Sequence, residues 1–401
     1  MKILVAASRF PWPLEKGDKL RLYHQLHYLS QHHEVYLICL AEALPTAAQL
    51  RSIQALVKRL EVIPLPLPQR LAHLASGLLN SLPFQVNYFR SPLMRKRVRA
   101  LVKAYQIDVV YTQLIRLGEN IPTELETPRY LDYMDALSEG MRKRGERSPW
   151  WQRPLIAVET RRLRRYELTL MEHFQRYSMI TDADAAIFPR SLRASVDVIA
   201  NGISPDFLQD DIPPAHPQPL DLIFTGNMGY HPNVLAACYL VDQLVPLLKE
   251  QGQSVTVGLV GVRPAAEVRR LESPEVLITG FVPDLRPYLK AARIMVAPLF
   301  TGSGLQNKLL EAMALGVPVV TTPLANRALG AQPGEEILEG ATAAELTRHI
   351  VFLLTHPDEA RRLGAQGQAF VRERYDWQKA NRRLERSLIQ LAEQKLTRSV
   401  L

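Results

Sequence analysis

Short apolar runs alternate along this chain with longer stretches in which apolar positions recur every three or four residues. Residues 3–6, inside M-K-I-L-V-A-A-S, are apolar throughout and too short for a helix, which predicts a buried strand. Helical spacing follows over 19–30, a second apolar run over 34–40, a helix over 46–60 and a strand over 61–64. The P-L-P-L-P run at 64–68 reads as a loop. Further strands are expected at 109–112, 130–133, 178–181 and 196–199, with a long Arg-rich helical stretch over 148–177. Strands alternating with helices predict a parallel, doubly wound sheet.

The pattern then restarts. Residues 205–219 hold five prolines and few apolar residues, the composition of a linker. Beyond it come a strand over 220–225, a helix over 233–251, and strands over 254–260, 276–279 and 294–298. Residues 357–396 are helical in spacing, rich in Arg and Glu. The fold class expected is α/β: two doubly wound, Rossmann-like parallel-sheet domains facing a ligand cleft, since such sheets bind ligands beyond the carboxyl ends of their strands.

The stretch 302–322 is the densest in chemistry. Gly302, Ser303 and Gly304 form a small loop ahead of a helix carrying Lys308 and Glu311. Gly316 stops that helix, Pro318 follows, and 319–322 is a β-branched run expected to be a buried strand. A helix N-terminus presents unpaired N–H groups and partial positive charge, and so favours a phosphate.

Composition narrows the class. The chain has 401 residues, 47% of them hydrophobic, enough for two or three domains with real cores. Two cysteines, Cys39 and Cys238, sit in apolar surroundings and read as buried core thiols. They are too few for a disulfide framework or a zinc site. No signal-peptide pattern and no apolar run near the ~20 residues of a membrane span is present, which predicts a cytoplasmic protein. The net charge of +9 favours anionic partners, and it is partly local: residues 139–176 carry ten Arg or Lys against five Glu. An anionic membrane surface is therefore a candidate partner on the inner face of the membrane. Nucleic acid is not, because no zinc-finger spacing or ribonucleoprotein aromatic motif accompanies the charge.

Five motifs carry a resemblance: K-G-D-K-L-R (16–21), Y-M-D-A-L-S (133–138), N-G-I (201–203), F-T-G-N-M-G-Y-H-P-N (224–233) and G-L-Q-N-K-L-L-E-A-M-A (304–314). In this order the chain resembles family 4 of the retaining glycosyltransferases, with the two-domain GT-B fold. Within that family it is most similar to sugar transferases of PEP-CTERM and exopolysaccharide systems. The resemblance implies an acceptor domain over 1–204, the linker 205–219, a nucleotide-sugar donor domain over 220–375, and a final helix over 376–401 packing back on the first domain. It implies a hexosyltransferase-like enzyme that takes a nucleoside-diphosphate sugar as donor and a saccharide, free or lipid-linked, as acceptor. No cofactor and no essential metal are expected. A GT-B nucleotide-sugar epimerase and a non-catalytic nucleotide-sugar-binding protein are the alternatives.

By the same resemblance, Glu311 accepts hydrogen bonds from the donor ribose, a task suited to an acceptor-only carboxylate. Lys308 neutralises the donor diphosphate, with Gly302, Ser303, Gly304 and Leu305 beside it. Many relatives carry a glutamate where Ser303 stands, so the donor sugar is not specified. Gly226, Asn227 and His231 form the donor loop after the first strand of the second domain, without the Arg and Lys common there, and Asn233 is expected to cap the next helix. In the first domain, Gly17 is expected to approach donor phosphate or acceptor. Lys19, Arg21, Asp135 and Ser138 are candidate acceptor contacts, with Asp135 as a candidate catalytic group beside Lys308 and Glu311. Asp182 and Asp184 imitate a D-x-D metal motif but read as structural.

Overall fold

Residues Ile3 to Ala7 are all sealed from solvent, yet alternate residues belong to two different cores. Leu4 and Ala6 pack with Ile38, Val110 and Leu131 on one face of a sheet, while Ile3 and Val5 pack with Leu37, Val109 and Tyr111 on the other. A strand buried on both faces needs a continuous apolar run, which is what the sequence presents. The computed structural model describes residues 1–14, 16–186, 188–209, 219–302 and 305–400.

The chain divides into two compact units, 1–201 with 377–401, and 202–376. The first unit holds seven parallel strands: β1 (Lys2–Ala7), β2 (Glu34–Ala41), β3 (Arg59–Pro64), β4 (Val109–Gln113), β5 (Arg129–Met134), β6 (Arg176–Met179) and β7 (Val196–Val198). Their spatial order is β3-β2-β1-β4-β5-β6-β7, so the winding reverses between β1 and β4. The second unit holds β8 (Leu220–Thr225), β9 (Val257–Val260), β10 (Val276–Gly280), β11 (Ala292–Ala297), β12 (Val319–Thr321) and β13 (Leu338–Glu339). Their order, β10-β9-β8-β11-β12-β13, reverses between β8 and β11. Both sheets are parallel and doubly wound, as the sequence predicts.

The C-terminal helix Trp377–Val400 belongs to the first unit. Leu384, Leu388 and Leu391, at helical spacing, enter the core of Ile3 and Leu26. Trp377 stacks on His24 at 4.7 Å, and Glu385 accepts from Tyr28 and pairs with His33, both at 2.9 Å.

Several elements differ in extent from their expectation, three of them for a visible reason. The helical region 357–396 is two helices, Pro357–Arg374 and Trp377–Val400, because the Tyr375 hydroxyl donates to the Leu329 carbonyl and Asp376 bridges Ile203. The helix expected over 233–251 starts at His231 and contains a π-helical turn over Leu240–Leu244. Pro246 follows and cannot donate into a regular ladder. The helix expected over 46–60 is shorter, Ala47–Gln54, opened by a reciprocal cap between Thr46 and Gln49. Of the linker 205–219, Pro205–Leu208 form a 3₁₀ turn, and most of the remainder lies outside the described residues. Cys39 is buried and its thiol is pushed up to about 12 by desolvation, whereas Cys238 is only partly buried on the helix His231–Tyr239.

Candidate active site

In a doubly wound sheet the chain leaves two neighbouring strands in opposite directions at the reversal point, and the gap between them admits a ligand. In the second unit those strands are β8 and β11. The chain leaving β8 carries Gly226 and Asn227 and enters the helix His231–Tyr239. The chain leaving β11 passes Gly302 and enters the helix Asn307–Ala314. Lys308 and Asn233, 75 residues apart, meet there: the Lys308 Nζ donates to the Asn233 side-chain oxygen. The ammonium also lies 4.7 Å from the centre of the Phe224 ring, a cation–π contact.

Gly226 is a glycine for two reasons. Its φ of +148° suits no other residue, and a Cβ there would stand 2.9 Å from the Asn233 Nδ2 and 3.3 Å from the Lys308 Nζ. The loop is braced from β9, where Gly261 comes so near the Gly226 carbonyl that a Cβ would overlap it at 1.8 Å. Met228 N donates to the Val262 carbonyl at 2.8 Å. Arg263, exposed and in the left-handed region at φ 55°, follows on this bracing loop.

Lys308 and Glu311 lie one turn apart on the helix Asn307–Ala314. Burial pulls the Lys308 ammonium down to about 8, and Glu311 only partly offsets the lost hydration. Burial pushes the Glu311 carboxyl up to about 7, again partly offset by its neighbour. Both charged forms are thus short of hydration, a condition that an anionic ligand for Lys308 and hydroxyl donors for Glu311 would relieve.

The remaining donor-side residues are distributed as follows. The Asn227 side chain accepts from Gly229 N at 3.0 Å and so closes its own turn. His231 is exposed at the first position of its helix. Asn233 is no cap: it sits inside the first turn, and its side chain binds Lys308 and, at 2.9 Å, the Asn227 carbonyl. Gly302 has a φ of +121° and Leu305 is half-buried. Ser303 and Gly304 lie outside the described residues. Asn233, Phe224, Gly261 and Arg263 were not anticipated at this site, although Asn233 closes the F-T-G-N-M-G-Y-H-P-N motif.

The first unit overturns two expectations. Arg21 is no acceptor contact, because it is fully buried. Its Nε and Nη2 donate to Asp132 at 2.7 and 3.2 Å, and its Nη1 donates to the Ile199 carbonyl and the Asn201 side chain, both at 2.9 Å. Ser138 is also sealed. Its N and Oγ donate to the two oxygens of Glu167 at 2.9 and 2.5 Å, which anchors the start of the helix Leu137–Arg147. Lys19 is half-buried and donates to the Trp12 carbonyl at 3.1 Å. Gly17 is exposed at the first position of the helix Gly17–His32, with nothing near its Cβ direction, so no close approach within the protein demands glycine.

Asp135 follows β5 past a bulge, where Met134 takes a left-handed φ of 64°. Its side chain reaches solvent, yet crowding strips enough hydration, with help from the charge of Asp184, to push its carboxyl up to about 6. Asp184 accepts from Thr181 Oγ1 at 2.5 Å and from Ala136 N at 3.4 Å, while the Thr181 side chain caps the turn Asp182–Ala185. Among the described residues no cluster of three or more His, Cys, Asp or Glu is placed to hold a metal ion.

Residues 219–356 match the family model described as glycosyl transferases group 1. Over nearly its whole length the chain is similar to an uncharacterized 44.6 kDa protein in the cps region of Klebsiella pneumoniae. That relative is 19% identical, across 94% of this chain and 97% of its own. Among solved structures, Anabaena Alr3699/HepE in complex with UDP superposes with a TM-score of 0.67 at 16% identity, covering 97% of this chain and 100% of that one. Sucrose-phosphate synthase from Thermosynechococcus elongatus gives 0.66 at 16% identity, covering 98% and 99%. The segment that contributes Gly226, Asn233, Lys308 and Glu311 thus matches a group 1 glycosyltransferase domain, within a chain of GT-B fold.

Proposed function

We propose that this chain is a retaining glycosyltransferase that moves a sugar from a nucleoside-diphosphate sugar to a saccharide acceptor, free or lipid-linked, in the synthesis of a polysaccharide or glycoconjugate. The observation that carries the reading is the placement of Lys308, held by Asn233 against Phe224 and beside Gly226, one turn from the half-buried Glu311. The match of residues 219–356 to group 1 glycosyl transferases supports it.

Each group has a task in that reaction. Negative charge grows on the diphosphate as its bond to the sugar breaks, and a poorly hydrated ammonium fixed in place stabilises that charge without reorganising. The Glu311 carboxylate takes the two ribose hydroxyls as donors. Gly302, whose Cβ direction points at Pro232 in the helix after β8, and Leu305 are the proposed backbone approach to the same ligand, and Arg263 is the proposed permanently charged cation that the loop after β8 lacks. In a retaining transfer the departing diphosphate itself takes the proton of the acceptor hydroxyl on the same face of the sugar. Asp135 then orients that hydroxyl and needs no strong basicity. No cofactor and no metal enter this scheme.

Anabaena HepE has been solved with UDP, with UDP and glucose, and with UDP-glucose, which makes UDP-glucose the first donor to try. The anomeric configuration of the product tests the reading. Retention in a product that forms only with acceptor present supports it. Inversion, epimerised donor without acceptor, or binding without turnover would contradict it.

The proposed place of work is the cytoplasmic face of an anionic membrane. Trp150, Trp151 and Leu155 are 80%, 64% and 62% exposed at the start of the helix Arg153–His173, and Arg161 and Arg165 are exposed further along it. Interfacial aromatics followed by cations suit the headgroup region of an anionic bilayer.

A further inference from the structure

The helix Leu67–Ser76 in the first unit is turned inside out, and none of its residues is buried. Its polar side chains make its contacts with the protein. Arg70 donates to the Tyr88 hydroxyl at 2.6 Å and pairs with Glu42 at 3.2 Å, and His73 is half-buried. The residues it leaves exposed are apolar, among them Leu67, Leu71, Ala72 and Ala75. Leu78 and Leu79, just past its end, are 73% and 92% exposed. A helix on a surface that faces only water turns the other way, with its leucines inward. A contiguous apolar face left outside marks a surface that meets something apolar.

The face continues onto a second element. Arg162, on the helix Arg153–His173, donates to the Gly77 and Leu82 carbonyls at 2.6 and 3.2 Å and lies over the Phe84 ring. Glu159 accepts from Phe84 N and Gln85 N at 2.8 and 3.2 Å. These bonds clamp the leucine segment to that helix. Leu155 and Val158 stand one turn before Glu159 and Arg162, on the same side of the helix, and both are exposed. The leucine segment and the start of this helix thus present one apolar surface. Neither element sets an acid beside it. Residues 62–107 contain no Asp or Glu, and over 153–165 the one acid is Glu159, buried and engaged by the two amides. Arg161 and Arg165 are exposed on the same helix. Pairing this face with a second copy would bring those arginines near their counterparts, a like-charge contact. A surface of anionic lipid accepts leucines and cations together and disfavours carboxylates, which is the composition found here.

We infer that the segment 67–79 inserts its leucines into an anionic bilayer beside the start of the helix Arg153–His173, so that apolar burial, and not charge alone, holds the protein there. The setting rests on the membrane reading above. The insertion of the leucine segment is a separate claim, independent of Trp150 and Trp151 and of which sugar is moved.

The test is flotation of the full chain with vesicles of phosphatidylcholine mixed with phosphatidylglycerol. It is run at low salt and at about 0.5 M salt, where charge attraction is screened and apolar insertion is not. The unaltered chain is expected to keep a bound fraction at high salt. Leu78→Ser with Leu79→Ser is expected to weaken binding about tenfold or more at both salt concentrations, the scale of one leucine left in water. Leu67→Ser with Leu71→Ser is expected to do the same. All four side chains are exposed, so unchanged urea midpoints are expected and show that the variants are folded. Binding that both leucine pairs leave unchanged would overturn the inference, and a weakening by Trp150→Ala with Trp151→Ala in the same series would then leave the membrane reading standing without it. Complete loss of binding of the unaltered chain at high salt would overturn the inference as well. No flotation at either salt would overturn both the inference and the membrane reading, with no bearing on sugar transfer. A dimer seen by sedimentation velocity without lipid, and dissolved by the leucine changes, would assign the face to a second copy and overturn the lipid surface.

Discussion

The side-chain amide of Asn233 ties Lys308 to the loop that follows β8: its oxygen accepts from the Lys308 Nζ, and its nitrogen donates to the Asn227 carbonyl at 2.9 Å. One residue thereby fixes both the cation and the backbone proposed to meet the diphosphate. Asn233→Ala leaves a buried ammonium without its acceptor, an expected loss of about 1–3 kcal/mol in urea unfolding. It should also weaken UDP binding, and an unchanged urea midpoint with unchanged UDP affinity would show that the tie carries no weight.

The pH dependence follows from burial at the same helix. Glu311 is raised by burial from an ordinary 4.5 to about 7, so its contribution to stability is present in acid and lost as pH rises through 7. Lys308 is lowered from 10.5 to about 8, so its contribution is present in alkali and lost as pH falls through 8. Between the two values both groups are charged and poorly hydrated, and a diphosphate with ribose hydroxyls relieves both. UDP should bind best between about pH 7 and 8 and more weakly on either side, as read by calorimetry across about pH 5.5 to 9.5. Glu311→Gln should remove the acid limb, and a flat profile in the unaltered protein would contradict this account.

Arg21 and Asp132 make a buried pair whose value lies in the fold. Asp132 also accepts from Tyr111 at 2.8 Å and Ser178 at 2.9 Å, so it is the hub linking β4, β5 and β6 to the helix Gly17–His32. Arg21→Ala strands that carboxylate and is expected to cost about 3–5 kcal/mol in chemical denaturation. A loss below about 1 kcal/mol, typical of a surface pair, would contradict the assignment.

The burial of Arg21 shows what the sequence hides. At the start of a helix it resembles a surface cation, yet the helix buries Arg21, Leu22, Gln25, Leu26 and Leu29, one continuous stripe. The periodicity was legible, but a charged residue on the stripe needs a partner to make sense of it, and Asp132 is 111 residues away. Ser138 is the same case, paired with Glu167 on another helix. Central strands such as β1 and β2 were readable because burial on both faces leaves an unbroken apolar run, whereas the two-residue, half-buried β13 was not, and the helix of Lys308 and Glu311 was readable from glycines on either side of it. The tie through Asn233 and the approach of Gly261 to Gly226 exist only once β8, β9 and β11 lie side by side.

Trp150 and Trp151 give the membrane reading a handle apart from charge. Flotation with vesicles containing phosphatidylserine should retain the protein at low salt, and Trp150→Ala with Trp151→Ala should reduce binding by about tenfold or more. No flotation at low salt, or equal flotation of the double variant, would remove these tryptophans from the account.

Lys308 and Glu311 are proposed to form the donor site. Calorimetric titration of the full chain with UDP-glucose tests it most directly, run beside GDP-, ADP- and TDP-glucose and repeated with Lys308→Ala and Glu311→Ala. At least one of these donors is expected to bind saturably, weakened about tenfold or more by each substitution, as when one charge-assisted contact is lost. Binding of none of the four, or binding unchanged in both variants, would contradict it.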